Sequence, residues 1–303
     1  MEVNLRNEKL GSWLSSIRNE NKNENLKYNH LKLTEVVNLR GDTFPILQEI
    51  IDEAHEDYKK SKRSVLSKSL DPTQEINFDN LGEADPAYGY PSELNLTTLK
   101  GYFGEIFAGI IAENFSPFNI DTWKVPVFCF RHHQTAFDQL ETFKRTGQRK
   151  NATIGRPGDD CLAFVLDDEK NQIVKTLFCE AKCTNGHDSK LINNAHSQIS
   201  DLNPVPVELL RVLEILEDYD TEHAKKWAKA ISNLYVNNYQ TERFDLVSYV
   251  CGKKPKIAET WIDNTKPHKT YTGKRHLEAV EVHISEVDNL VQNLYRKEMI
   301  NVE

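Results

Sequence analysis

Gly158-Asp159-Asp160-Cys161-Leu162-Ala163-Phe164-Val165 opens an apolar run on two acids. Leu177-Phe178-Cys179-Glu180-Ala181-Lys182 closes the next apolar run on an acid and a lysine. The polar residues Asp167 to Asn171 lie between them, and this pattern predicts two strands joined by a turn. In a strand, residues i and i+2 point to one face, so Glu180 and Lys182 project together. An antiparallel hairpin brings the start of the first strand beside the end of the second, which places Asp160 near Glu180. Two carboxylates and an ammonium at such a place suit phosphodiester hydrolysis. Hard oxygen ligands bind Mg²⁺, which keeps several waters and takes one or two carboxylates. The lysine would orient a water and offset charge on the phosphate. E-x-K alone is common at solvated strand ends; the weight here comes from the acidic strand start and from two flanking helices.

Working outward, Thr97 to Phe115 predicts a buried helix carrying Glu105 among small neighbours (Gly101, Ala108, Gly109, Ala112). A carboxylate on a buried face is costly without a compensating charge, so Glu105 is a candidate third metal ligand with Asp160 and Glu180. Ser189 to Leu202 predicts a helix ended by Asn203-Pro204. On it Gln198 interrupts a stripe of Leu191, Ala195 and Leu202 and is a candidate catalytic or substrate contact. Lys144, Arg145, Arg149, Lys150 and Arg156 run into Asp159 and Asp160 without an intervening acid, and form a candidate phosphate-binding lip. Further basic groups occur at 253–256, 266–269 and 274–276, with no sequence signal to place them.

Elsewhere, Leu31 to Leu39 reads as a strand, Phe44 to Leu66 as an amphipathic helix and Leu70 to Asn95 as irregular. Trp123 to Arg131 reads as β-rich and Thr135 to Lys144 as a short helix. Val207 to Asp218 and Thr221 to Val236 read as helices, Phe244 to Cys251 and Leu277 to Ile284 as strands, and Ser285 opens a last helix reaching Met299. Asn19 to Asn29 reads as a loop or linker. The expected fold is mixed α/β: a central mixed sheet flanked by helices, with an N-terminal extension. The expected division is a helical or irregular region over 1–94, a candidate partner-binding part, and a catalytic domain over 95–303.

The chain has 303 residues, a formal net charge of −8 and 39% hydrophobic residues, enough for a substantial core. Five cysteines, an odd number in a large chain, argue against a disulfide framework and fit free thiols in a reducing cytoplasm. No apolar run approaches the length of a membrane helix, and no secretion signal opens the chain. No Walker A, dinucleotide-binding or G-x-S-x-G pattern is present. A rival reading takes Cys179, Cys183 and His187, with His132 and His133, as zinc ligands, but the C-x₃-C-x₃-H spacing matches no strong finger pattern. An acidic protein that handles DNA needs local basic patches or a partner that delivers the nucleic acid.

The set Glu105, Asp160, Glu180-x-Lys182 and Gln198 resembles the PD-(D/E)XK nuclease superfamily. More narrowly, Leu99-Lys100-Gly101-Tyr102-Phe103-Gly104-Glu105, the two stretches quoted above and Leu277-Glu278-Ala279-Val280-Glu281-Val282-His283 resemble the HamA family, the nuclease subunits of Hachiman anti-phage defence systems. The resemblance runs from about Asn95 to Leu294. It implies a restriction-endonuclease-like core, Mg²⁺ or Mn²⁺ as cofactor, DNA as substrate and a HamB-type helicase as partner in a heterodimer. The usual Pro directly before the Asp is absent: Pro157 precedes Gly158. This leaves Asp159 or Asp160 as ligand, and Asp160 is favoured because it adjoins the strand. Alternatives from other classes are a non-catalytic nucleic-acid-binding or scaffold subunit on a nuclease-like fold, and an RNase using the same site.

Overall fold

The computed structural model describes residues 8–20, 27–70, 76–128, 134–147, 159–201, 208–237 and 241–296. Helix α1 (Glu8–Trp13) leads into strands β1 (Leu14–Glu20) and β2 (Tyr28–Glu35), then the long helix α2 (Arg40–Leu70). Next come α3 (Leu96–Asn114), α4 (Gln134–Thr146) and the hairpin β3 (Cys161–Asp167) and β4 (Gln172–Thr184). Helices α5 (Ser189–Asp201), α6 (Leu209–Glu217) and α7 (Glu222–Val236) precede β5 (Glu242–Cys251), β6 (His276–His283) and α8 (Val287–Arg296).

One six-stranded mixed sheet organises the fold, in the order β1-β2-β6-β5-β4-β3. Strands β2, β6, β5 and β4 are mutually parallel; β1 and β3 pair antiparallel at the two edges. Strands β1 and β2, from the first 94 residues, extend the sheet directly through the β2–β6 pairing. Polar ties reinforce the join. Arg18 of β1 pairs with Glu278 of β6 and donates to the Phe115 carbonyl at 2.6 Å. The buried Glu35 accepts from Arg40 at 2.7 Å and from the Ser285 amide at 2.9 Å. A carboxylate withdrawn from water needs such partners.

Helix α3 is buried nearly all round, as its apolar composition requires. Asn95 caps it by accepting from the Thr98 amide at 2.9 Å. It lies on one face of the sheet, where a Cβ at Gly104 would stand 3.4 Å from Cys183 Cβ and 3.8 Å from Ala181 Cβ. On the opposite face α5 packs Ile192, Ala195 and Ile199 with Val247, Tyr249 and Ala279. At the β3 edge, Trp227 of α7 meets Phe164.

Two expectations need correction. The stretch Trp123 to Arg131 is not a strand where it is described. Only Lys124 bridges to β3, exchanging backbone bonds of 2.9 and 2.8 Å with Phe164. Pro126, two residues on, has no N–H to continue a ladder. Val127 and Phe128 are buried by side-chain packing, Phe128 against Gly109, where a Cβ would come within 2.3 Å of its ring. Secondly, β2 ends at Glu35, and residues 36–39 turn through a short 3-10 segment into α2. Residues 129–133, His132 and His133 among them, and Met299 lie outside the described residues.

Candidate active site at the end of the β3–β4 hairpin

The hairpin register pairs Cys161 with Cys179 and goes no further. Strand β4 therefore overruns β3: Glu180 to Thr184 pair only with β5, Glu180 beside Val247 and Lys182 beside Tyr249. Asp160 fills the first place left open. Its amide donates to the Cys179 carbonyl at 2.9 Å, and its Oδ2 accepts from the Ala181 amide at 2.7 Å. The carboxylate thus stands at the sheet edge, between the levels of Glu180 and Lys182. Those two alternate with Cys179, Ala181 and Cys183, which face α3, and so project to the face that α5 covers. Lys182 Nζ donates to Glu180 Oε1.

All three groups are withdrawn from solvent. Asp160 is 5% exposed and Glu180 1%, while the Lys182 side chain keeps 20% exposure. Asp159 is 1% exposed and Glu105 8%. Glu105 directly follows Gly104, so it lies on α3 at the level of Ala181 and Cys183. The sequence-predicted trio is thus brought together by one hairpin, and the helix bearing Glu105 is laid against the same strand end.

Asp159 and Asp160 are separated by their partners. Asp159 is close enough to Arg243 to favour the charged guanidinium, although burial pulls the Arg243 pKa below its ordinary value. Asp160, by contrast, sits on the β4 backbone beside Glu180. Of the two, Asp160 is thus the one placed to join Glu180 in holding a cation.

The donor set suits a hard divalent cation. Asp160 and Glu180 offer carboxylate oxygens in a place from which water is largely excluded, and Mg²⁺ requires only one or two protein carboxylates. Among the described residues no three His, Cys, Asp or Glu side chains close into a ready-made cage. The zinc arrangement is also not formed by Cys179, which lies against Cys161 on the α3 face, where burial pushes its thiol pKa well up.

Gln198 differs from expectation. It is exposed, and the buried stripe of α5 is Ile192, Ala195, His196 and Ile199. The apolar residues Ile192, Ala195 and Ile199 set this face, and His196, fully buried beside them, bonds the Ile192 carbonyl at 2.9 Å. Of the basic lip, Lys144 lies 5.0 Å from the Tyr88 ring centroid and Arg145 pairs with Glu141 on its own helix. Arg149, Lys150 and Arg156 lie outside the described residues.

Sequence reasoning missed a second polar cluster on the Glu180 face. Asp245 of β5 is fully buried and accepts from Arg243 at 3.0 Å, Arg275 at 2.7 Å and Tyr271 at 2.9 Å. Arg243 stacks 3.9 Å above the Phe178 ring. Arg275 also donates to the Ile199 carbonyl at 2.9 Å near the C-terminal end of α5. Arg243 is two residues from Asp245 on the same strand, but Tyr271 and Arg275 come from a segment about thirty residues on, so no local pattern announces the whole cluster.

No protein-family model matches the chain, and no curated protein matches it. Among the described residues, no helix is long and apolar enough to cross a membrane.

Proposed function

We propose that the chain is a metal-dependent nuclease that hydrolyses DNA phosphodiester bonds at Asp160, Glu180 and Lys182. The observation that carries this reading is the placement of Asp160 on the overrunning end of β4, beside the Glu180–Lys182 pair. Asp160 and Glu180 would hold Mg²⁺ or Mn²⁺. When bound, such an ion polarises the phosphate and lowers the pKa of a coordinated water. Lys182 has three N–H donors, one of them on Glu180. The others are available to orient the attacking water and to meet charge gathering on the phosphate. The resemblance to the nuclease subunits of Hachiman defence systems extends the proposal to an effector working with a helicase partner. A helicase reading frame beside the gene is the quickest check of that extension.

A second reading has its own observation. Asp160 caps a β4 amide and Glu180 is charge-matched by Lys182, which is also what a structural, non-catalytic edge would need. The two readings separate in a cleavage assay with Mg²⁺ on DNA and RNA substrates, with the helicase supplied. The nuclease reading expects Glu180→Ala and Lys182→Ala each to lower the rate by at least about a hundredfold, the scale of one lost electrostatic or acid–base contribution. Undiminished cleavage by both variants rejects these assignments. Faster cleavage of RNA than of DNA would reassign the substrate.

A further inference from the structure

The segment between β5 and β6, residues 252–275, carries six lysines and Arg275 against only Glu259 and Asp263, in a chain whose net charge is −8. Its lysines at 253, 254, 256, 266, 269 and 274 are all exposed. The segment leaves the sheet beside the candidate site. Cys251 pairs with Thr184, and the Gly252 amide donates to the Thr184 carbonyl at 2.9 Å. A Cβ at Gly252 would come within 2.6 Å of the Asn185 carbonyl oxygen, so only glycine permits this close exit.

An aromatic platform stands at the same place. Tyr249, the lateral neighbour of Lys182, accepts from the Asp188 amide at 3.0 Å and meets His187 Nδ1 at 3.4 Å. The His187 ring stacks on Trp261, with centroids 3.9 Å apart and planes 9° from parallel. Trp261 is fixed from behind. Its amide donates to Glu281 at 2.7 Å and its indole N–H to the Lys253 carbonyl at 3.0 Å. His187 is exposed, so the stack keeps an open face.

Resting on the nuclease reading of the neighbouring site, we propose that residues 252–275 with His187 form a clamp for single-stranded DNA. The lysines hold phosphates, and the His187–Trp261 stack receives an unpaired base. Phosphate contacts from exposed lysines supply affinity without sequence preference, and base-on-ring stacking accepts any base. A base inside a duplex is already stacked on its neighbours and cannot occupy the platform, so the geometry selects an unpaired strand.

The test measures binding in EDTA, which keeps cleavage out of the readout. The 303-residue chain is titrated into a labelled oligothymidylate and into a labelled duplex. The His187→Ala/Trp261→Ala variant is expected to bind the oligothymidylate about 5- to 100-fold more weakly, with the duplex changed less than about twofold. Equal loss on both, or no loss, overturns the proposal. A second measurement does not depend on how that variant folds. Trp13, Trp123 and Trp227 are buried, so quenching of indole emission by the oligothymidylate should come from Trp261 and vanish in Trp261→Phe while affinity persists. Absence of quenching in the unaltered chain overturns the platform. Lys254→Glu/Lys256→Glu should weaken both ligands and flatten the salt dependence by about 0.7 per lost single-strand contact. An unchanged slope overturns the phosphate role, and tighter binding of an oligouridylate overturns the assignment to DNA. Normal binding together with undiminished cleavage by the Glu180 variants would sink the assignment of cleavage to the neighbouring site alone. Cleavage that depends on Glu180 while platform variants bind normally would sink the clamp alone.

Discussion

Replacing Lys182 by Met removes the cation beside Glu180 and keeps most of the side-chain volume. Glu180 has 2% side-chain exposure, so its charge loses this partner in a place that water hardly reaches. Breaking a buried pair in this way costs about 3–5 kcal/mol. The lower end applies, because the Lys182 side chain is 20% exposed and part of its interaction is already screened. Protonation sets a ceiling: neutralising an ordinary glutamate costs about 4 kcal/mol at pH 7 but only about 1 kcal/mol at pH 5. The expected loss is therefore about 3 kcal/mol at pH 7, shrinking to about 1 kcal/mol at pH 5. At about 2 °C per kcal/mol for a chain of this size, Tm should fall by roughly 6 °C at pH 7 and roughly 2 °C at pH 5. Thermal scanning at both pH values reads this directly. Added Mn²⁺ should reverse the loss, because a cation that binds only the folded state at a hundred times its Kd contributes about 2.7 kcal/mol. An unchanged Tm at pH 7, or a loss that Mn²⁺ leaves untouched, would refute the picture of a buried carboxylate pair that a cation stabilises.

Gly109→Ala places a Cβ within 2.3 Å of the Phe128 ring, and the resulting overpacking should cost about 1–3 kcal/mol in denaturant unfolding. By contrast, Gly104→Ala meets Cys183 Cβ at 3.4 Å, an ordinary contact, and should be nearly neutral. Arg275→Met leaves the buried Asp245 with one fewer cation and the Ile199 carbonyl without its donor, a loss of about 2–4 kcal/mol by the same assay. Stability should also fall with acid. Burial holds His30 and His196 down to a pKa of about 4 and His55 to about 3, so below about pH 6.5 the unfolded chain binds protons that the folded chain refuses. Asp57, raised to about 6 by burial, works the other way and offsets roughly one proton between pH 6 and 4. The net slope near pH 5 is about 3 kcal/mol per pH unit, and urea midpoints that stay flat from pH 6.5 to 4.5 would contradict it.

The hairpin was legible because its signal is local: alternation, a polar turn and charged residues at both ends of two short runs. Strand β1 was not. Leu14 to Glu20 exposes most of its side chains at a sheet edge, so it lacks the apolar alternation that marks a strand. The run from Trp123 misled for the opposite reason: among its described residues Trp123, Val125, Val127 and Phe128 are buried, and buried aromatic and β-branched residues look like a strand whether or not a ladder forms. The nearness of Asp160, Glu180 and Lys182 was readable from strand parity together with the hairpin turn. The Arg243–Asp245–Arg275 cluster and the His187–Trp261 stack arise from register between segments far apart in sequence, which no window of residues contains. On α5 the buried face is set by Ile192, Ala195 and Ile199, one residue round from the expected stripe, which leaves Gln198 on the exposed side.

Calorimetric titration of Mn²⁺ into the unaltered chain and into Asp160→Ala and Glu180→Ala tests the central claim most directly. The account predicts binding in the unaltered chain that is lost in both variants while their folds persist. Equal Mn²⁺ binding in all three proteins, or none in the unaltered chain, would contradict it.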